Sequence, residues 1–377
     1  MMQVSDGGIF NLPLRLSGSV VIDGDDKQRI VASVTRGKAT SRYIIDSQIH
    51  YFLQQFALPR SLSEVADQLA DEGYSRDNVL QFGKNLVKTP LLEFCAEESQ
   101  IPEIELICQY WGWQWMASFK HRKFDGVYQV VDSSGCDRVI KAIRSPQSYS
   151  ETMRISKQLE NERAVMLRLQ GIPEVVRVID WQVSPFMTLS MEYIHGRNLT
   201  ECVLADASIQ DRLNWCRQIS RIVRDIHSAG VVHGDLHTSN FMCEQTGLIR
   251  AIDFDSSFVA GSPYIPRIGG AAHFMPPERC TDHWHESSEA TPDFASDIYQ
   301  LGVILYFVLT GKPPFRGETY SELMKMVKAG HFRKLESIVG ENVPMPITQS
   351  IHDCLAIHPA LRPASLDNLV GLFEEFK

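Results

Sequence analysis

The chain has 377 residues, 44% apolar and 22% charged, with a formal net charge of -9. That profile fits a soluble globular protein of two or three domains at about 100–200 residues each, and its acidic balance argues against a general nucleic-acid or anionic-membrane binder. The eight cysteines are scattered without a Cys-x-x-Cys pair, which fits buried thiols in a reducing compartment better than a disulfide framework.

No apolar run reaches the roughly 18 residues that a membrane helix needs. The longest, 301–309, has the length of a buried core helix. Asp6 lies near the start and no basic segment precedes an apolar stretch there, so no secretory signal is expected and the expected location is cytoplasmic.

In chain order, residues 9–16, 19–22 and 30–34 read as short strands, broken by Gly24-Asp25-Asp26. A helix is predicted over 46–56, with Ile49, Phe52, Leu53 and Phe56 at helical spacing. Ser61 and Glu64 form a capping-box signature opening a second helix that stops at Gly73, and a third covers 76–87. Small strands with three helices look like a winged-helix-type domain over 1–115, and the order resembles the peptide-binding PqqD-like domains. The resemblance implies a docking module for a peptide or protein partner; a structural cap on the neighbouring domain is the other reading. Ten basic against fifteen acidic residues in 1–115 disfavour DNA reading. Strict alternation over Trp111, Trp113 and Trp115 would place three indoles on one strand face, for core or interdomain packing or, alternatively, as a binding platform.

Beyond this join, 126–131 alternates as a strand, Asp132-Ser133-Ser134-Gly135 is a turn, and 138–143 is a second strand carrying Lys141. A lysine inside an apolar strand is costly unless paired. A helix is predicted over 152–169, ended by Gly171-Ile172-Pro173, and it carries Glu162, with Glu160 expected on a different face. Strands follow at 175–179 and 188–191, the second running into Glu192-Tyr193-Ile194. An amphipathic helix over 213–228, with Gly230 past its end, leads to His233-Gly234-Asp235-Leu236-His237-Thr238-Ser239-Asn240, and then to Asp253-Phe254-Asp255. Two carboxylates and a carboxamide on adjacent loops suit magnesium, a hard cation that takes oxygen ligands.

These landmarks, with Met275-Pro276-Pro277-Glu278, Asp297 and Leu361-Arg362-Pro363 in the same order, resemble the protein kinase superfamily. The resemblance implies an α+β, two-lobed protein-kinase-like fold, with the N-lobe over 116–194 and the C-lobe over 195–377. It also implies ATP and Mg²⁺ as cofactors. Lys141 would hold the α- and β-phosphates with Glu162 as its ion-pair partner. Gly126 would belong to the phosphate loop, backbone groups of Glu192 and Ile194 would bind adenine, and Met191 would line the pocket behind it. Asp235 would orient the acceptor hydroxyl, with Asn240 and Asp253 as magnesium ligands. Glu278 with Arg362 is expected as a buried ion pair, and Asp297 as a brace for the catalytic-loop backbone.

Four departures qualify that resemblance. Of three loop glycines only Gly126 remains; Lys120, Arg122 and Lys123 either substitute by charge or face solvent. Gly234 stands where the family has an arginine that reads an activation-segment phosphate, which implies activity independent of such phosphorylation. His237 replaces a lysine and Ala271 a threonine, and the resulting His-Gly-Asp-Leu-His pattern is similar to aminoglycoside and other small-molecule phosphotransferases. A protonated His237 would contact the transferring phosphate; otherwise it is a hydrogen-bonded loop residue. Asp255 replaces a glycine, either capping a turn or adding a metal contact.

The expected function is transfer of the γ-phosphoryl of ATP to a Ser/Thr hydroxyl of a protein or peptide. The alternatives are a small-molecule phosphotransferase and a pseudokinase scaffold. Cys280, His283 and His285 have zinc-compatible side chains but lack a nearby fourth ligand.

Overall fold

A computed structural model describes residues 13–16, 20–24, 30–36, 39–45, 47–56, 60–71, 74–89, 91–94, 103–121, 125–143, 149–183, 187–205, 207–264, 271–281 and 290–376. The chain divides into two compact units, residues 1–157 with 179–193 and residues 158–178 with 194–377.

The first unit opens with β1 (Pro13–Leu16), β2 (Val20–Gly24), β3 (Ile30–Arg36) and β4 (Ala39–Ile45). Next come α1 (Ser47–Gln54), β5 (Arg60–Ser61), α2 (Leu62–Asp71), α3 (Arg76–Leu86), β6 (Leu92–Phe94) and α4 (Glu103–Trp111). β3 is central in an antiparallel β2-β3-β4 sheet, and β1 lies between β5 and β6 in a second sheet. The capping box forms reciprocally: the Ser61 amide donates to Glu64 Oε2 at 2.7 Å, and the Glu64 amide donates to Ser61 Oγ at 3.2 Å. Leu62, Val65, Ala66 and Leu69 are the buried stripe of α2, at helical spacing.

Four elements here, β4, β5, β6 and α4, were not expected. β4 pairs with β3 from Ile30 against Ile45 to Arg36 against Ala39, so only Gly37 and Lys38 separate the strands; a two-residue connection containing glycine is itself a hairpin signal. β6 and α4 also form. α4 corrects the reading of the tryptophans. Trp111 ends the helix, Trp113 is buried in the following turn, and only Trp115 lies in a strand, so the three do not share a strand face. Residues 9–12, Asp46 and Gly73 lie outside the described residues.

The unit continues with β7 (Gln114–His121), β8 (Asp125–Val131), β9 (Asp137–Ile143), the start of α5 (Tyr149–Arg168), β10 (Val178–Gln182) and β11 (Thr188–Glu192). The sheet order is β10-β11-β9-β8-β7. Between β8 and β9 the turn is held by Asp132, whose Oδ1 accepts from the amides of Ser134 at 2.8 Å and Cys136 at 3.0 Å, with Gly135 at φ +84°. One apolar core runs from Leu14 through Leu106 and Ile107 to Tyr128, Val130, Ile140 and Ala142, crossing the boundary expected at 115.

The strand expected over 175–179 begins only at Val178. The backbone of 174–176 is committed elsewhere: the Ala251 amide donates to Glu174 O at 2.8 Å and the Val176 amide to Ala251 O at 3.0 Å.

The second unit holds β12 (Gly196–Asn198), α6 (Leu199–Leu204), α7 (Ile209–Ser228), β13 (Val231–Val232), β14 (Phe241–Glu244), β15 (Ile249–Ala251), β16 (Phe258–Val259) and α8 (Phe294–Thr310). α9 (Tyr320–Ala329), α10 (Glu336–Val339), α11 (Met345–Cys354) and α12 (Asp367–Glu375) complete it. α8 is apolar nearly all round, the pattern of a central helix, and α7 and α11 pack on it. Gly311 ends α8 at φ +69°, in the left-handed conformation glycine adopts without penalty.

Candidate active site

In the first unit the register of the five-stranded sheet sorts the nucleotide-side residues by face. Lys141 pairs with Val127 on β8 and Leu189 on β11, while Val139 pairs with Met191. Cross-strand partners share a face and successive residues alternate, so Lys141, Val127, Leu189 and Met191 stand on one face. Tyr128, Ile140 and Ala142 stand on the other, in the shared core. Lys141 is only 7% exposed. Glu192 ends β11, and the next residue, Tyr193, stacks on Phe119 of β7 with ring centroids 6.4 Å apart.

Gly126 pairs with Ala142 and therefore lies on the face away from Lys141. A Cβ at Gly126 would meet the Tyr128 Oη at 2.1 Å, which gives this glycine a packing reason independent of any phosphate. The side chain of Lys120 and all of Arg122 and Lys123 lie outside the described residues.

In the second unit the loop 233–240 is fastened from beneath by α8. Asp297 is fully buried and accepts from the His233 amide at 2.7 Å, the Gly234 amide at 2.9 Å and His227 Nε2 at 3.0 Å. Three residues along the same helix, Gln300 Oε1 accepts from the Leu236 amide at 3.0 Å. The amides of the residues on each side of Asp235 are thus held to one helix face. Asn240 Nδ2 donates to the Asp235 carbonyl at 2.9 Å, which closes the loop on itself.

Asp253 follows β15, and the Ile252 amide donates to Asn240 O at 2.8 Å, which couples the two loops directly. Asp253 is the one non-glycine with positive φ, +65°, among the described residues. Such a backbone costs about 1 kcal/mol or more and marks functional positions. Phe254 is buried against the His233 ring, with centroids 5.1 Å apart. Ser257 Oγ donates to His233 O at 2.9 Å. Burial pushes the His233 imidazole below its ordinary pKa, against the pull of Asp297, Asp235, Asp253 and Asp255. Ser256 Oγ donates to Asp255 Oδ1 at 3.2 Å, within the turn that Asp255 opens.

His237 Nε2 lies 3.9 Å from Asp235 Oδ2, and its ring faces Phe274 at 6.1 Å. Asp235 Oδ1 is buried with no hydrogen-bond partner among the described residues. Glu162 is 1% exposed on the apolar face of α5 together with Leu159, Val165, Met166 and Leu169, whereas Glu160 is exposed. Its neighbour Asn161 ties α5 to the segment after Asp253 by donating to Ser257 O at 2.7 Å. Ile194 is buried in the second unit.

The Glu278–Arg362 pair forms as expected, with Nη1–Oε1 at 2.8 Å and Nη2–Oε2 at 2.7 Å. Arg362 lies 4.9 Å from the Tyr299 ring centroid. Burial alone would raise the Glu278 pKa, but Arg362 holds it below the ordinary value. Among the described residues no cluster of three or more His, Cys, Asp or Glu is placed to hold a metal; His283 and His285 lie outside them. Among the described residues, no helix is long and apolar enough to cross a membrane.

Sequence reasoning missed Gln300, His227, Ser257, Asn161 and Arg279 as parts of the site. Gln300 was within reach, since it lies one helical turn after Asp297 and faces the same way. The others rest on pairings across the fold with no local signature.

A strand lysine on a five-stranded sheet, a loop aspartate braced on a buried helix and a left-handed Asp before a buried Phe are the features of a kinase fold. A family model for the protein kinase domain matches residues 123–370, well over half of the chain, and the chain belongs to that family. Serine/threonine-protein kinase PkaA of Streptomyces coelicolor is 31% identical over 222 residues, 56% of this chain and 38% of its own length. Serine/threonine-protein kinase PknA of Mycobacterium tuberculosis is 26% identical over 245 residues, 63% and 54% respectively. Calcium-dependent protein kinase 9 of Arabidopsis thaliana is 28% identical over 218 residues, 56% and 39%. The chain thus spans between 38% and 54% of the length of these relatives.

Proposed function

We propose that the chain is an ATP-dependent kinase that phosphorylates Ser or Thr hydroxyls of a protein or peptide. What carries the reading is Asp235. Its flanking amides are fixed by Asp297 and Gln300, yet Oδ1 of its own carboxylate has no partner among the described residues. A buried, unpaired acceptor held this firmly is costly unless a ligand uses it, and a substrate hydroxyl is such a ligand.

The donor set fits magnesium. With Asn240 Nδ2 engaged on the Asp235 carbonyl, the remaining polar atom of that amide is an oxygen. Asp253 adds a carboxylate, and the two loops are joined through the Ile252 amide. Magnesium, when bound with ATP, neutralises charge that develops on the transferring phosphoryl. Lys141 is assigned the α- and β-phosphates. Backbone groups of Glu192 and Ile194 hold the adenine edge, and Met191 lies behind it. Asp235 orients the acceptor hydroxyl and takes its proton.

Activity in this reading needs no phosphate on the activation segment. Gly234 sits at φ +80°, and a Cβ there would lie 2.6 Å from the Ser256 carbonyl oxygen, so no phosphate-reading arginine fits the position. Phosphatase-treated protein should keep its activity; loss of activity that returns with rephosphorylation would refute this point. Seven cysteines are free thiols among the described residues, which supports a reducing, cytoplasmic location. For residues 1–115 we favour a partner-docking role built onto a core shared with the kinase sheet.

His237 beside Asp235 favours one rival, a small-molecule acceptor. Labelled ATP with parallel profiling of phosphopeptides and phosphorylated metabolites separates the two. Label in Ser/Thr of peptides supports the kinase reading, label only in metabolites supports the rival, and no transfer at all supports a scaffold.

A further inference from the structure

Resting on the kinase reading above, we infer that Arg279 is a positioning residue for Asp235, supplying from the turn Pro277–Arg279 the cation that the loop itself lacks at position 234. Arg279 closes the short turn Pro277–Arg279 and is 1% exposed. Its Nη1 donates to the Gly234 carbonyl at 3.2 Å, while the Gly234 amide donates to Asp297 at 2.9 Å. The residue immediately before Asp235 is therefore gripped at both ends of its backbone.

Burying a guanidinium is expensive, and an apolar side chain of similar volume would fill the same space more cheaply. Burial does pull the Arg279 pKa down, and the carboxylates of Asp235, Asp297 and Glu278 oppose that pull. The cation is bonded to the residue between the loop aspartate and the His233 amide that the bracing aspartate holds. Packing alone gives no reason for a charge there.

Gly234 shows why the cation comes from elsewhere. Its φ of +80° and the Ser256 carbonyl 2.6 Å from any Cβ shut out a side chain. Arginine is suited to the remote role, because its planar fork presents several donors in fixed geometry. Glu278, one residue earlier, binds Arg362. The turn thus joins the C-terminal anchor to the catalytic loop.

The test uses the full chain with Arg279→Met, Arg279→Gln and Arg279→Lys. Amide hydrogen exchange over 233–236 should quicken in the Met and Gln variants and return toward wild type in the Lys variant. This readout needs no catalysis. In turnover assays Arg279→Met should lose at least about tenfold in kcat, as expected for a misplaced catalytic group. The KM for ATP should stay within about twofold, since uniform binding is untouched, and Arg279→Lys should recover most of the loss. If Arg279→Met does not fold, the uncharged but hydrogen-bonding Gln variant decides alone, with faster exchange and lower kcat expected. Wild-type exchange and kcat in the Met or Gln variant would overturn the inference. So would equal losses in kcat and ATP affinity that Lys fails to restore. Wild-type protein that transfers no phosphate would overturn the kinase reading, while the exchange measurement would still judge Arg279.

Discussion

The loop 233–240 and the β7–β8 hairpin at Gly126 are the two places where the proposed chemistry would meet backbone, and they are built on opposite terms. The loop is tied at each residue from His233 to Leu236: Asp297, Gln300, Ser257, Asn240 and Arg279 all bond its main chain there. The hairpin keeps one glycine, and that glycine is required by Tyr128 beneath it. The comparison teaches that a catalytic loop tolerates side-chain replacement when its backbone is over-determined. Gly234, His237 and Asp255 all depart from the family pattern, yet the aspartate and asparagine between them stay in place.

The largest effect expected outside the chemistry is on stability. Arg362→Ala leaves the part-buried Glu278 without its ion-pair partner and should cost about 3 kcal/mol in denaturant unfolding. The sign with pH follows from Glu278. Its folded pKa lies below the ordinary value of 4.5, so the pair contributes stability above that pH and loses it as pH falls through the folded value. Arg362→Ala should remove this acid-side dependence. An acid limb unchanged in the variant would show that Glu278 is not its source.

The two glycines sharpen the contrast. Gly234→Ala drives a Cβ against the backbone oxygen of Ser256, and an immovable collision beside the base should lower kcat by about a hundredfold. For Gly126→Ala the nearest atoms to the new Cβ are all in the Tyr128 side chain, and it should cost about 1–3 kcal/mol of stability, with part recovered in Gly126→Ala/Tyr128→Leu. If both variants lower kcat equally while stability is untouched, the contrast between the two regions fails.

Lys141→Ala tests the face assigned to the nucleotide. Loss of a charge-assisted contact worth about 1.5–3 kcal/mol should weaken ATP binding by roughly ten- to a hundredfold in calorimetry. Unchanged affinity would place the nucleotide elsewhere.

Much of the site was legible because its parts are local. The loop from His233 to Asn240 is one short run, the capping box spans Ser61 to Glu64, and Glu160 and Glu162 separate by helical geometry alone. The Glu278–Arg362 pair was reachable only through the family resemblance. What escaped was long-range or weakly patterned. Arg279 and Gly234 are 45 residues apart in sequence, and nothing near either announces the contact. The strand at 175–179 slipped because its backbone pairs with Ala251 in the second unit, a choice that side-chain alternation cannot report.

The most direct trial is labelled ATP with Mg²⁺ and a protein or peptide acceptor, comparing wild type with Asp235→Asn. That exchange removes the charge while keeping the shape. Label should enter Ser or Thr with wild type and fall by about 10²–10⁴-fold with the variant, the range for a lost general base. Equal incorporation by both would contradict the role assigned to Asp235.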